Sequence, residues 1–113
     1  MFVFDIDAVR RALAAMDSNW KEFMRVEGMS AGVYRLKAGD RDAQNPHNED
    51  EIYYVTRGRA KFAAGDNVQD VMAGSIIYVE ARREHRFIEI AEDLEALVIF
   101  APAEGSAPSS PSE

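Results

Sequence analysis

The chain has 113 residues, enough for one ordinary domain with a single hydrophobic core and too few for two. Hydrophobic residues make up 47% and charged residues 29%, which is the mix of a globular domain and excludes a disordered or membrane chain. The 20 acidic and 13 basic side chains give a net charge of -7, which disfavours nucleic acid and anionic membranes as partners, and the absence of cysteine excludes disulfides, thiolate metal sites and thiol nucleophiles.

One short helix is predicted near the start of the chain. Either Asp5 or Asp7 is a suitable N-cap. Apolar residues then recur at near-helical spacing, at Val9, Leu13 and Met16. This pattern predicts a helix over 7–16, and the polar run 17–19 ends it.

The rest of the chain reads as a series of short strands. Val33–Ala38 alternates apolar and basic side chains with a period of two, as a half-buried strand does. Further strands are predicted at Ile52–Thr56, Ala60–Ala64, Gln69–Met72, Ser75–Val79, His85–Ile90 and Ala96–Ala101. Many short strands at this spacing indicate an all-β sandwich or barrel.

The end of the chain has a different composition. Residues 102–113 contain three prolines and offer nothing to bury. We therefore expect a single domain over residues 1–101 followed by a disordered tail over 102–113. The start lacks the basic region and apolar run of a secretory signal, and no stretch approaches the roughly 20 apolar residues of a membrane helix. With the lack of cysteine, this favours a cytoplasmic location.

Two sets of residues, each beginning at a glycine, carry the chemistry. The first set is Gly39, Asn45, His47, Glu51 and Gly58, and the second is Gly74, Glu80, Arg82, His85 and Glu89. Their spacing resembles the two motifs of the cupin family, at 39–58 and 74–89. The chain is similar to small single-domain bacterial cupins of the RmlC-like superfamily, cupin_2 type, and the resemblance covers about 30–101. It implies a double-stranded β-helix, or jelly-roll, barrel with one short N-terminal helix.

A metal site is predicted from these two motifs. Residues 47 and 51 are an even number apart, so both side chains lie on one face if the segment is extended. Closure of the barrel would bring His85 to the same interior. Two imidazoles and a carboxylate form a ligand set that leaves positions open on a divalent transition metal such as iron, manganese, nickel or zinc. Each histidine also has the alternative of being a satisfied polar residue, and Glu51 of being an exposed acid.

The chain departs from the family at both motifs. The first motif usually has a histidine where Asn45 stands, so Asn45 is expected to be at most an auxiliary ligand, with neighbouring Gln44 or water as alternatives. In the second motif Glu80 and Arg82 replace a proline and a glycine. This predicts a different local conformation for the turn before His85.

A small-molecule pocket beside the metal is implied by the resemblance. Tyr53, Val55 and Phe87 share the parity of the ligands and, with Gln44, are the predicted pocket residues, although they could equally fill the barrel. The cluster Arg82, Arg83 and Arg86 is expected either to bind an anionic ligand at the cavity entrance or to form a solvated turn.

Three functions remain open at this stage. The first is a metal-dependent dioxygenase or related enzyme acting on a small organic molecule. The second is a non-catalytic ligand-binding or sensor module with a structural or vestigial metal site, and the third is a barrel that has lost metal. The resemblance to cupins, which often form dimers, implies a homodimer. An edge strand predicted near 21–27, which would need to be covered, favours the same assembly.

Overall fold

The computed structural model describes residues 1–44 and 46–107. One helix, α1 (Ile6–Ala14), precedes six strands: β1 (Trp20–Val26), β2 (Met29–Leu36), β3 (Asp50–Ala64), β4 (Asn67–Met72), β5 (Ile76–Val79) and β6 (His85–Ala101). All paired strands are antiparallel, in the order β1-β2-β6-β3-β4, with β5 also paired to β3. The predicted all-β jelly roll with one short N-terminal helix is confirmed.

Strands β3 and β6 are longer than the sequence pattern indicated. Each was predicted as two short strands, but each continues through the polar residues between them. In this separating stretch the register of the pair shifts, between Val55 and Lys61. Gly58 lies in this irregular stretch with φ of 91°, and a Cβ there would stand 2.2 Å from the backbone oxygen of Asp93. The separator is therefore a set of bulges at which the paired strands bend, and only glycine permits the close approach.

The core is formed by the inward faces of β2 to β6, with most of its residues on β3 and β6. Alternate residues of β3 are buried from Glu51 to Val55, as a barrel strand requires. The alternation in β6 breaks at Glu89, which has φ of 47° and is exposed, while Phe87 and Ile90 are both buried. Glu89 therefore does not share the inward parity of His85.

Helix α1 covers part of the outer face of the sheet. The Asp5 carboxylate accepts a hydrogen bond from the Asp7 backbone N–H and caps the helix. Val9 and Leu13 are buried against Val33 of β2. The helix ends at Ala14, earlier than predicted, which leaves Met16 exposed. Within the described ranges, no helix has the length and apolar character needed to cross a membrane.

An ion pair joins α1 to the sheet. The Arg10 guanidinium donates to both carboxylate oxygens of Glu95, at distances from 2.7 to 3.0 Å, and Thr56 donates its hydroxyl to the same group. Glu95 is buried. Burial alone would raise the pKa of Glu95, but the hydrogen bonds and charge of Arg10 and the Thr56 hydroxyl lower it below 4.5.

The chain beyond β6 differs from the predicted tail. Residues 102–107, called here the C-terminal clasp, turn back against the barrel. Ala103 is only 2% exposed, the Glu104 N–H donates to the Ser30 hydroxyl at 2.9 Å, and the Ala107 N–H donates to the Glu49 carboxylate at 3.0 Å. The expectation that this stretch makes no contacts is wrong for the clasp, and residues 108–113 lie outside the described part of the chain.

Candidate metal site

The fold brings His47, Glu51 and His85 together. His47 precedes β3, Glu51 lies at the start of β3, and His85 is the first residue of β6. One ligand atom from each residue lies within 4.8 Å of the other two. The backbone also links the two motifs, because the Arg82 N–H donates to the His47 carbonyl at 2.6 Å.

The turn before His85 contains an unfavourable backbone conformation. Arg82 adopts φ of 65°, the left-handed conformation that glycine favours. The sequence suggested that losing the glycine would change this turn, but the arginine takes a glycine-like conformation instead. Its side chain is exposed, and those of Arg83 and Arg86 form ion pairs with Glu80 and Glu84.

The tautomer of His85 follows from its partners. Nδ1 is 2.7 Å from the Arg83 carbonyl, which only accepts, so Nδ1 carries a proton. In a neutral ring Nε2 then carries a lone pair, and this nitrogen lies 3.0 Å from Oε1 of Glu51. Two electron-rich atoms at this distance require a cation between them, either a proton or a metal ion. The direction of the His85 pKa agrees: burial alone would lower it, but Glu51 and the Arg83 carbonyl raise it above 6.5.

The Glu51 carboxylate is the least satisfied polar group at this site. Its side chain is 1% exposed, and neither oxygen has a hydrogen-bond partner with good geometry within residues 1–44 and 46–107. An unpartnered buried carboxylate is costly, and the two imidazoles beside it complete a donor set that divalent transition metals bind. The residues present therefore fit a metal ion.

A hydrogen-bond network surrounds the cluster. The Tyr53 hydroxyl donates to the Gln44 side-chain oxygen at 3.0 Å and lies 3.1 Å from Nε2 of His85. Nε2 of His47 is 3.3 Å from the same Gln44 oxygen, so the Nε2 atoms of both histidines face the interior. Burial and the charge of Glu51 raise the pKa of Tyr53 well above 10, so its hydroxyl keeps its proton.

Asp42 fixes the orientation of Gln44. Its carboxylate accepts hydrogen bonds from the Gln44 amide at 2.9 Å, the Tyr34 hydroxyl at 2.6 Å and the Phe87 backbone N–H at 2.9 Å. The Gln44 oxygen is consequently directed towards the histidines. Asp42 was not predicted as a site residue, and its only signal in the sequence is that it is the sole acid between Arg41 and Pro46.

The predicted pocket residues separate into two groups. Gln44 and Tyr53 border a cavity of about 150 Å³ beside the cluster. Val55 and Phe87 are instead packed in the core, 0% and 1% exposed. These two side chains therefore fill the barrel, which was the alternative interpretation of them. Asn45, the predicted auxiliary ligand, lies outside the described residues.

Several cavity residues were not predicted from the sequence. Trp20, Tyr34, Phe100 and Glu104 line the cavity with His47 and Glu51. Trp20 comes from β1, and its indole lies against Gly32, where an added Cβ would stand 2.3 Å from the ring. Its signal was that it is the only tryptophan in the chain. Glu104 comes from the clasp, and no sequence pattern predicts that this segment lies at the cavity.

Glu104 faces the second nitrogen of His47. Its Oε2 lies 3.6 Å from Nδ1 of His47, an ion-pair distance that exceeds a hydrogen bond. A carboxylate on this side favours the tautomer with hydrogen on Nδ1 and the lone pair on Nε2. Burial raises the pKa of Glu104, His47 opposes this, and the charges of Glu22, Glu51 and Glu49 raise it further.

Comparisons with known proteins agree with the fold and the motifs. The sequence matches the Cupin domain family over residues 32–101. It is 42% identical over 104 residues to the uncharacterized protein SCO3923 of Streptomyces coelicolor, covering 92% of this chain and 99% of that one.

Two solved structures share the fold at low sequence identity. A protein with a double-stranded beta-helix domain from Klebsiella pneumoniae is 18% identical with a TM-score of 0.76, over 96% of this chain and 94% of that chain. Ectoine synthase from P. lautus is 16% identical with a TM-score of 0.74, over 90% and 78%. The chain belongs to the cupin family.

Proposed function

We propose that this cupin binds one divalent transition metal ion through Nε2 of His47, Nε2 of His85 and a carboxylate oxygen of Glu51. The observation that carries the proposal is the buried Glu51 carboxylate, which lacks a well-aligned hydrogen bond in the described ranges yet faces two imidazoles. Three protein ligands leave coordination positions open, and the adjoining cavity gives a small molecule access to them.

Metal analysis tests the site directly. Protein purified without an affinity tag is dialysed at pH 7.5 against iron, manganese, nickel and zinc in turn, and bound metal is measured by mass spectrometry. Alanine at His47, Glu51 or His85 should remove most of the metal while the β-sheet circular dichroism is retained. Glu49→Ala is the matched control, since this neighbouring buried carboxylate binds the Ala107 N–H. Wild-type protein that stays metal-free, or metal that survives His85→Ala, would contradict the proposal.

The position of Asn45 gives a second test of ligand number. Asn45→Ala should reduce affinity less than the three alanine changes do, because an amide is an auxiliary ligand at best. Asn45→His should tighten binding, because imidazole is the better ligand for these metals. Equilibrium competition against a coloured chelator measures both changes, and no gain from the histidine would argue against a place for residue 45 beside the ion.

Our first candidate for the activity is a metal-dependent dioxygenase or related enzyme acting on a small organic molecule. A bound ion would supply Lewis acidity and, with iron or manganese, electrons for oxygen chemistry. The chain contributes the rest: Tyr53 keeps the proton on its hydroxyl and donates it in a hydrogen bond to the Gln44 oxygen, and Asp42 holds Gln44 with that oxygen towards the histidines.

The second candidate is a ligand-binding or sensor module that uses the same site. It is favoured by the cavity walls, which outside the cluster and its network include Trp20, Val98 and Phe100, side chains that hold a ligand without transferring protons. Oxygen uptake by the iron-loaded protein with small phenols, amines and carboxylates separates the two. Uptake that depends on both the organic compound and His85 supports the enzyme. Saturable binding without uptake supports the module.

We also propose a homodimer. Edge strand β1 ends at Val26, which is exposed, and β3 and β5 present an uncovered apolar face formed by Ile52, Tyr54, Ile76 and Tyr78. Exposed apolar patches of this kind mark protein contacts. Sedimentation velocity at tens of micromolar should show a dimer, and 12.6 kDa particles alone would argue against it. A cytoplasmic location stays a prediction.

A further inference from the structure

We infer that the cavity beside the cluster selects a small organic cation, whose amine or quaternary ammonium group lies between aromatic rings and the carboxylate of Glu104. This inference deepens the proposed function and rests on it in one respect: the cavity is taken as the ligand site. It assigns that site a chemical class of ligand.

Four aromatic side chains line the cavity. Trp20, Tyr34 and Phe100 line it together with Tyr53, and the rings of Trp20 and Phe100 meet edge to face at 6.1 Å. Gly32 lets the indole lie directly against β2, because a side chain there would overlap the ring. Aromatic faces attract cations, tryptophan most strongly, and aromatic cages bind quaternary ammonium groups.

Glu104 supplies the opposite charge. Its backbone is held on two sides, since its N–H donates to Ser30 at 2.9 Å and its carbonyl accepts from Arg25 at 2.8 Å. Its side chain lines the cavity but does not belong to the three-residue metal cluster found in the described part of the chain. The backbone of Glu104 is therefore fixed at the edge of the cavity. Its carboxylate lies 3.6 Å from Nδ1 of His47, beyond hydrogen-bond distance, which leaves it able to pair with a ligand.

The surroundings of Glu104 disfavour an anion. Neither lysine nor arginine is among the described residues that line the cavity. Glu22, Glu49 and Glu51 all lie near enough for their charge to act on Glu104, and the nearby Arg25 is paired with Glu22. A divalent ion would be neutralised by Glu51 and Glu104 alone. In metal-loaded protein the charge of Glu49 near Glu104 would still disfavour a carboxylate ligand.

The volume of the cavity limits the ligand. About 150 Å³ corresponds to roughly five water molecules at about 30 Å³ each. A ligand the size of choline suits this space. Choline is also an informative probe because its carbon isostere, 3,3-dimethylbutan-1-ol, has the same shape without the charge, and 3,3-dimethylbutanoate has a similar shape with the opposite charge.

The test uses the fluorescence of Trp20, the only tryptophan. Each of the three probes is titrated into the full chain at pH 7.5, both after removal of metal with a chelator and after loading with zinc. Choline should bind about tenfold more tightly than the alcohol, and the carboxylate should bind most weakly. Because metal-free protein is included, failure to bind zinc would sink the proposed metal site without deciding this inference.

Charge variants test whether the Glu104 carboxylate is the group that binds choline. Glu104→Gln should weaken choline binding about tenfold and leave binding of the alcohol unchanged. Glu92→Gln, which removes the same charge from an exposed ion pair with Arg59, is the matched control and should change neither. The inference is overturned if the alcohol or the carboxylate binds as tightly as choline, if Glu104→Gln leaves choline binding unaltered, or if choline binds to neither form of the protein.

Discussion

Replacing Glu51 with glutamine should stabilise the metal-free protein while abolishing metal binding. In the wild type, both oxygens of Glu51 are buried without well-aligned partners in the described ranges, and Oε1 faces the lone pair of His85 Nε2 at 3.0 Å. The glutamine amide could place an N–H at that position and donate to His85. One unsatisfied acceptor is thereby exchanged for a satisfied donor.

The expected size follows from the cost of an unsatisfied buried polar group, about 1–3 kcal/mol. Glu51→Gln should therefore raise the free energy of unfolding of metal-free protein by about that amount, with roughly 4–8 °C in Tm for each kcal/mol. With metal at 1,000 times its Kd, the wild type should instead gain about 4.1 kcal/mol and the variant almost nothing. The order of stability of the two proteins should reverse when metal is added.

The pH dependence of the metal-free comparison has a defined sign. The pKa of His85 is raised in the folded protein, so the protonated His85–Glu51 pair stabilises the wild type below about pH 6.5 and is lost as pH rises through the folded pKa. The advantage of the glutamine variant should be largest near pH 8.5 and shrink near pH 6.

Thermal unfolding followed by circular dichroism, with and without zinc, measures all of these quantities. Glu49→Gln is the control, because Glu49 is a buried neighbour whose carboxylate already accepts from Ala107. It should leave both the metal-free Tm and the zinc shift unchanged. A Glu51→Gln protein that is less stable than wild type at pH 8.5, or that keeps the zinc shift, would refute the reasoning.

Three further changes test the scaffold. Arg10→Ala should lower the free energy of unfolding by about 3 kcal/mol at pH 7, because Glu95 would remain buried without its guanidinium. The difference from wild type, measured by urea titration, should fade as pH drops below about 4.5 and through the lowered pKa of Glu95. Gly58→Ala should lower the free energy of unfolding by about 3 kcal/mol or more. Gly74 has φ of 99° but no atom within 4 Å of an added Cβ, so Gly74→Ala should lower it by only about 1–2 kcal/mol. Equal losses in the two variants would exclude the proposed clash at Gly58. Deleting residues 104–113 should cost about 1–3 kcal/mol by removing the clasp contacts, whereas a loss within about 0.5 kcal/mol would favour a tail without contacts.

The fold and the three clustered side chains could be predicted because their signals are local. Glycine-bounded spacing and period-two alternation both lie within single segments, and a residue pair such as 47 and 51 shares a face whenever the chain is extended. Two histidines in a chain also leave few ways to build a nitrogen-containing metal site. Spacing alone does not reveal where a strand irregularity changes parity, as at Glu89, which is exposed.

The rest of the cavity could not be predicted because it depends on packing between distant segments. Val55 and Phe87 have the parity of the ligands, but their depth along the strands places them in the core. Trp20 reaches the cavity only because Gly32 leaves room for its ring on the neighbouring strand. Glu104 lies in a stretch whose composition predicts disorder, and its order comes from hydrogen bonds to partners far away in sequence.

The distribution of unfavourable features in the molecule argues for function at the cavity. Of the two described non-glycine residues with positive φ, Arg82 lies beside the histidines, as does the poorly satisfied Glu51, and Glu89 lies at an exposed irregularity of β6. Glu95, a buried glutamate of β6, has Arg10 and Thr56 as partners and needs nothing else. Natural sequences remove local conflicts that do not serve a purpose, so conflicts that persist together mark a functional site. A cation bound by Glu51 would remove the largest of them, which is why metal binding and stability should change in opposite directions in Glu51→Gln.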